Sequence, residues 1–126
     1  MDILIKKARE AMKASYSPYS GFKVGACLEA EDGTLYTGCN IESASFTPTM
    51  CAERCAIAKG VSDGVRRFKR VAVVNSGEGY SWPCGVCRQM LAEFSADMEV
   101  IVADCNDNVE KVPLSELIPK VFLEIK

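Results

Sequence analysis

Residues 70–75 constrain the fold more than any other segment, because they hold the unbroken apolar run Val71-Ala72-Val73-Val74. Successive side chains of a strand point to opposite faces, so a strand that is apolar at every position is covered on both. The neighbouring segments supply the covers. Residues 3–14 form an amphipathic helical pattern, with Ile3, Leu4, Ala8, Ala11 and Met12 near helical spacing, and the turn formers of residues 15–21 end it. Residues 24–30 and 34–39 are strand-like and joined by the hairpin signal Glu31-Asp32-Gly33. Residues 40–50 are a loop carrying Pro48, and residues 51–59 a helix that Gly60 is expected to stop. A loop over 76–83, a helix over 85–94, a strand over 99–103, a turn over 104–107 and a last strand over 109–112 come next. Pro113 is placed to begin a short helix over 113–118. Helices between strands, after a hairpin start, predict a three-layer α/β/α sandwich around a mixed five-stranded sheet. At about 150 residues per domain, residues 1–126 are expected to form a single domain.

The absence of histidine excludes much chemistry. No Ser-His-Asp triad, Cys-His dyad, HExxH zinc site or histidine-ligated haem is possible. A hydrolytic enzyme built from this chain must move protons with a carboxylate, a lysine or a tyrosine. The net charge of −2 gives no footprint for nucleic acid or an anionic membrane. The basic run Arg66-Arg67-Phe68-Lys69-Arg70 is therefore taken as the solvated start of a strand. The first residues lack the apolar core of a secretory signal, and no apolar run is long enough to span a membrane. A cytoplasmic location is expected. Seven cysteines, an odd number, in a reducing compartment favour metal binding or catalysis over disulfides.

Two segments concentrate the chemistry: Cys51-Ala52-Glu53-Arg54 and Pro83-Cys84-Gly85-Val86-Cys87-Arg88-Gln89. Both lie where a loop becomes a helix, where the helix dipole favours thiolates. A Cys-x-x-Cys pair at a helix start offers two sulfurs to one metal, and Cys51 adds a third. Three protein ligands leave a zinc ion one position for water. Glu53 is placed to reach that position and move protons. Arg54 is placed to offset the surplus negative charge of three thiolates by hydrogen bonding to sulfur. Other assignments stay open on spacing alone. Cys55 could join Cys51, Cys84 and Cys87 in a closed structural Cys₄ site, the Cys-x-x-Cys could be a redox pair, and Glu53 could be a solvated helix carboxylate.

Cys-Ala-Glu-Arg followed by Pro-Cys-x-x-Cys-Arg-Gln resembles the zinc-dependent nucleoside deaminases, as the three-cysteine form of their signature. The likeness runs through residues 19–26, Gly38-Cys39-Asn40-Ile41-Glu42, residues 88–94 and residues 117–122, and points to the short-chain, homotetrameric cytidine deaminases. The resemblance implies one Zn²⁺ per chain on Cys51, Cys84 and Cys87. It implies that Glu53 carries protons while zinc-activated water adds to C4, so that cytidine or 2′-deoxycytidine becomes the uracil nucleoside and ammonia. It further implies that Asn40 and Glu42 hold ribose hydroxyls, that Phe22 packs on the nucleoside and that the Ala52 N–H meets the base O2. Phe122 would stack in a neighbouring subunit's site. The expected partners are a small-molecule nucleoside and further copies of the chain, with neither nucleic acid nor membrane.

The chain departs from the family pattern at Ser43, where Asn is usual, and at Phe46, where Tyr is usual. It departs again at Cys55, where Thr is usual, and at Trp82, where a small residue is usual, on the amine side of the pocket. Phe46 has lost a hydroxyl that could meet the nucleoside 5′-OH, and Trp82 is bulky enough to narrow the site. These changes motivate an alternative substrate, a modified or antibiotic cytosine nucleoside.

Overall fold

The computed structural model describes residues 2–124. The described elements, in chain order, are α1 (Ile3–Met12), β1 (Val24–Ala30), β2 (Leu35–Cys39), α2 (Ala52–Ser62), β3 (Phe68–Asn75), α3 (Gly85–Ser95), β4 (Glu99–Ala103), β5 (Val109–Pro113) and α4 (Leu114–Leu117). The sheet order is β2-β1-β3-β4-β5. Among these strands only β3 and β4 pair in parallel; the other neighbours are antiparallel. The expected mixed sheet of five strands is present.

The register shows how the two faces divide. Cys27, Ala72 and Ile101 stand in one row across β1, β3 and β4, and Leu28, Val71 and Val100 in the next. The first row packs with Leu4, Ile5 and Ala8 of α1, and the second with Ala56 and Ile57 of α2 and Leu91 and Ala92 of α3. All of these are buried. The apolar run of β3 feeds both layers, Ala72 and Val74 to one and Val71 and Val73 to the other. Burial pushes the Cys27 thiol up to about 11, which makes it a small core hydrophobe and not a reactive group.

Asp2 caps α1, accepting the Leu4 N–H at 2.9 Å. The same carboxylate accepts from Arg70 Nη1 at 2.9 Å, while Arg70 Nε donates to Glu29 at 2.8 Å. One half-buried guanidinium thus ties the start of α1 to β1 and β3. Among the described residues, no helix is long and apolar enough to cross a membrane.

Several boundaries differ from expectation. Helix α1 ends at Met12 instead of residue 14. Helix α2 runs through Gly60 to Ser62. Gly60 is buried against β3, where an added Cβ would lie 2.9 Å from the Phe68 ring; its small size serves packing. The stop comes at Asp63 and Gly64, whose φ of 94° suits glycine alone. Strand β3 begins at Phe68, two residues early, because that ring is buried and its N–H donates to the buried Ser95 hydroxyl at 2.9 Å. Pro113 closes β5 and caps α4 instead of occupying its first turn.

Gly38 sets the distance between α2 and the sheet. A Cβ there would lie 2.3 Å from the Ala52 carbonyl and 2.7 Å from the Ala56 nitrogen, so glycine lets the start of α2 rest directly on β2. Gly38→Ala is expected to cost about 1–3 kcal/mol of stability through overpacking, because it pushes α2 away from the sheet. Urea unfolding of the purified variant checks this.

Candidate active site

Strands β2 and β3 run in the same direction, each antiparallel to β1 between them. The segments leaving their C-terminal ends lead into α2 and α3, so both helices begin at the same end of the sheet. Cys51 is the residue capping α2 and Cys84 the residue capping α3. Both have extended backbone, and neither side chain makes a capping hydrogen bond. Their sulfurs approach each other instead. Cys87, one turn into α3 and fully buried, completes the group.

The Sγ atoms of Cys51, Cys84 and Cys87 all lie within 4.8 Å of one another. Cys51 and Cys84 are separated by 3.8 Å. Zn–S bonds of about 2.3 Å in a tetrahedron place sulfurs about 3.8 Å apart, so the donor set fits zinc in both chemistry and spacing. Cys55 stands outside the group. Its Cβ faces β2, 2.9 Å from where a Cβ on Gly38 would be. Among the described residues, the closed four-sulfur site therefore lacks its fourth ligand.

The charges are arranged for a cation. Hydrogen bonding from Cys87 draws the Cys51 thiol down to about 5 against the opposing effect of burial, with Arg54 and Cys84 adding to the pull. The Cys87 thiol moves the other way, because it donates to Cys51 and is buried. All three cysteines bind a dication as thiolates, so whatever protons the thiols carry must leave when it binds. Arg54 Nη2 donates to the Thr49 carbonyl at 3.2 Å and to Cys51 Sγ at 3.5 Å. Its Nε is buried and without a partner among the described residues. The guanidinium is thus held against the sulfurs, where the charge-offsetting role expected from sequence would place it.

Glu53 is 4% exposed. Burial pushes its carboxyl up to about 7, with the Cys51 charge adding to the rise and Arg54 opposing it. A group with a pKa near neutrality both takes and gives protons readily. Glu53, Cys51, Ala52, Cys84 and Asn40 line one cavity of about 220 Å³.

The other expected residues surround this centre at different distances. Asn40 Oδ1 accepts from the Val24 N–H at 2.9 Å and from Ser15, and Nδ2 donates to the Phe22 carbonyl at 2.8 Å. One amide hydrogen is left for a ligand. Glu42 does not line this cavity. It lines an adjoining one of about 480 Å³ with Tyr19, Ser20, Ser43 and Phe46, and the two cavities share Thr49. The Glu42 carboxylate accepts from the Tyr19 and Ser20 N–H groups and from the Ser20 hydroxyl. Those bonds hold it below the usual carboxylate range, the Ser20 hydroxyl contributing most. The Phe22 ring lies against Gly77, outside the cavity. Phe122 is 66% exposed, and Gln89 Nε2 donates to its carbonyl at 2.7 Å. It does not line the cavity of its own chain.

Sequence reasoning passed over Val24, Thr49, Val73 and Ser81, which line the cavity, and two polar braces. Asn75, buried at the end of β3, holds the loop after it. Arg88 donates to the Pro83 carbonyl at 2.6 Å and to the Leu117 carbonyl at 2.9 Å. Arg88 was visible as the residue after the Cys-x-x-Cys; Asn75 carried no signal beyond ending an apolar strand.

The pattern described as the cytidine and deoxycytidylate deaminase zinc-binding region matches residues 2–104. The chain is 48% identical over 125 residues to a cytidine deaminase of Sporosarcina psychrophila, covering 97% of this chain and 92% of that protein. The crystal structure of a cytidine deaminase from Burkholderia pseudomallei superposes with a TM-score of 0.91 at 38% identity, covering 95% of this chain and 97% of that one. A blasticidin-S deaminase of Bacillus cereus is more distant, at 29% identity over 126 residues, 92% of this chain and 87% of that protein. Three converging sulfurs, a buried glutamate beside them and this fold belong together: the chain is a member of the zinc-binding cytidine and deoxycytidylate deaminase family.

Proposed function

We propose that this chain is a single-domain cytidine deaminase of pyrimidine salvage, acting in the cytoplasm on cytidine and 2′-deoxycytidine. Met1, Ile125 and Lys126, at the ends of that proposed domain, lie outside the described residues. The observation that carries the reading is a cavity that a buried glutamate lines together with two cysteines of a three-sulfur cluster.

Cys51, Cys84 and Cys87 would hold the zinc, with Arg54 spreading the charge of the thiolates. Bound zinc supplies a water made acidic enough to attack at neutral pH. Glu53 takes a proton from the attacking water and delivers it to N3 of the base. It then carries the second proton to the exocyclic nitrogen. A C4–O bond forms, the C4–N bond breaks, and the nitrogen leaves as ammonia. The Ala52 N–H, at the first turn of α2 where no intrahelical acceptor is offered, would meet the base O2. The small cavity would take the base and present the free hydrogen of Asn40 at its edge, and the adjoining one would offer Glu42 to the ribose. Phe22 closes over the nucleoside from the Gly77 side. The 48% identity to a named cytidine deaminase, against 29% to a blasticidin-S deaminase, favours cytidine over an antibiotic nucleoside.

The assembly proposed is a homotetramer in which Phe122 reaches a neighbouring site. Tyr16, Tyr19, Phe46, Val86 and Phe122 are all more than half exposed, and such side chains are available to contacts between copies of the chain. Sedimentation velocity is expected to give four chains per particle; a monomer would remove the shared site.

Glu53→Gln is expected to keep one zinc per chain and lose about 10²–10⁴-fold in kcat, the usual worth of a positioned proton carrier. Metal analysis and loss of the cytosine absorbance read the two arms. Substantial turnover by the variant would take Glu53 out of the mechanism. Cys84→Ser should lose zinc and activity together, whereas Cys55→Ser should leave the metal content at the parent level.

A further inference from the structure

The cavity that holds Glu53 is small. Its volume of about 220 Å³ lies below the roughly 300–1,000 Å³ of pockets that enclose a whole drug-sized ligand. It suits a single heterocycle, with the sugar left to the adjoining cavity beyond Thr49. One wall is Trp82, two residues before Cys84 and therefore at the sulfur end.

This wall is fixed from three directions. The partly buried indole packs on the larger core. Tyr80 meets it edge-on, with ring centroids 6.1 Å apart at an interplanar angle of 65°. Asn75 pins the loop leading into it: Nδ2 donates to the Ser81 hydroxyl at 2.7 Å and the Gly79 carbonyl at 3.2 Å, and Oδ1 accepts from the Gly77 N–H at 2.8 Å. Close-packed interiors yield little to added volume, and a ring tied to both the core and its own loop resists displacement away from the cavity.

We propose that Trp82 sets a size limit at the pyrimidine edge beside the reacting carbon, so that the enzyme discriminates against cytosines substituted at C5. The inference rests on the cytidine deaminase reading. In the pyrimidine ring C4 is flanked by N3 and C5. Glu53, from the first turn of α2, takes the N3 side. C5 then faces the opposite wall, which the loop before α3 builds from Ser81 and Trp82. One extra methyl-sized group in a hydrophobic pocket costs about 10–200-fold in kcat/KM, and 5-methylcytidine carries one such group at that position.

The test measures kcat/KM for cytidine and 5-methylcytidine with the zinc-loaded parent, Trp82→Ala and Trp82→Phe. The parent is expected to favour cytidine by about 10–200-fold. Trp82→Ala should raise the ratio of 5-methylcytidine to cytidine turnover at least about tenfold, with Trp82→Phe between them. A parent that turns over both substrates equally, or a ratio unmoved in both variants, overturns the proposal. Absence of cytidine turnover by the zinc-loaded parent overturns instead the reading on which it rests. Where Trp82→Ala does not fold, Trp82→Phe and product inhibition of the parent carry the comparison. Uridine should then inhibit at least about tenfold more strongly than 5-methyluridine, and equal inhibition overturns the size limit.

Discussion

Three sulfurs from two separate helices must meet within a few ångströms, and the sheet is what makes them meet. Because β2 and β3 are both antiparallel to β1, the chain leaves them at the same end of the sheet. The next helices begin there side by side, in the crevice beyond the carboxyl ends of the strands, where open α/β sheets place their ligands. Gly38 sets how close α2 comes to the sheet, and the Arg88 bonds to the Pro83 and Leu117 carbonyls fix where α3 begins. The spacing of the sulfurs is thus a property of strand direction and of two local contacts, and not of the cysteine loops alone.

The electrostatics result from that convergence. Two helix N-termini and the Arg54 guanidinium face one cluster of thiols, and each favours the thiolate form. A buried carboxylate at the same place would ordinarily be a liability. Here Glu53 carries a pKa pushed up to about 7 by burial, which is the range in which a carboxyl can both accept and release a proton at neutral pH. With no histidine in the chain, this buried glutamate is a group at the cluster whose range matches neutrality. Glu53 shares one cavity with Cys51 and Cys84, so its carboxyl and the sulfurs open on the same space.

Much of this was legible in the sequence because the signals were local. The apolar run of β3, the bounds of β1 and β4, and the two cysteine segments at helix starts each announce themselves within a few residues. What was not legible depended on contacts between distant segments. Gly60 looks like a helix stop until Phe68 is seen lying on it, and the true stop at Gly64 is shown by its positive φ. Phe68 belongs to β3 because Ser95, far along the chain, accepts its N–H. Cys55 is one helical turn from Cys51 and equally eligible on spacing, yet it faces β2. The placement of Glu42 in a second cavity, and the bracing of the Trp82 loop by Asn75, likewise come from tertiary structure.

The two faces of the sheet carry unequal duties. The α1 face is a small apolar layer whose cysteine, Cys27, is locked in its thiol form, and whose polar contacts, Asp2 and Glu29 to Arg70, only bind elements together. The opposite face holds the larger core and, at its end, every sulfur of the cluster. Val73 belongs to both that core and the cavity, and Trp82 does as well. The same packing that stabilises this layer therefore shapes the pocket, and a cavity wall made of core residues has the stiffness of the core. Selectivity at the reacting end then comes from stability already present in the fold, and the adjustable part of the site is the exposed segment around Ser43 and Phe46. Phe46 sits there at a φ of 62°, three-quarters exposed, a backbone geometry that a bulky side chain adopts only at a cost in energy. None of residues 41–48 lines the cavity that holds Glu53, yet the loop is tied to two residues that do, because Ser43 N–H donates to the Thr49 hydroxyl and Ile41 pairs with Met50.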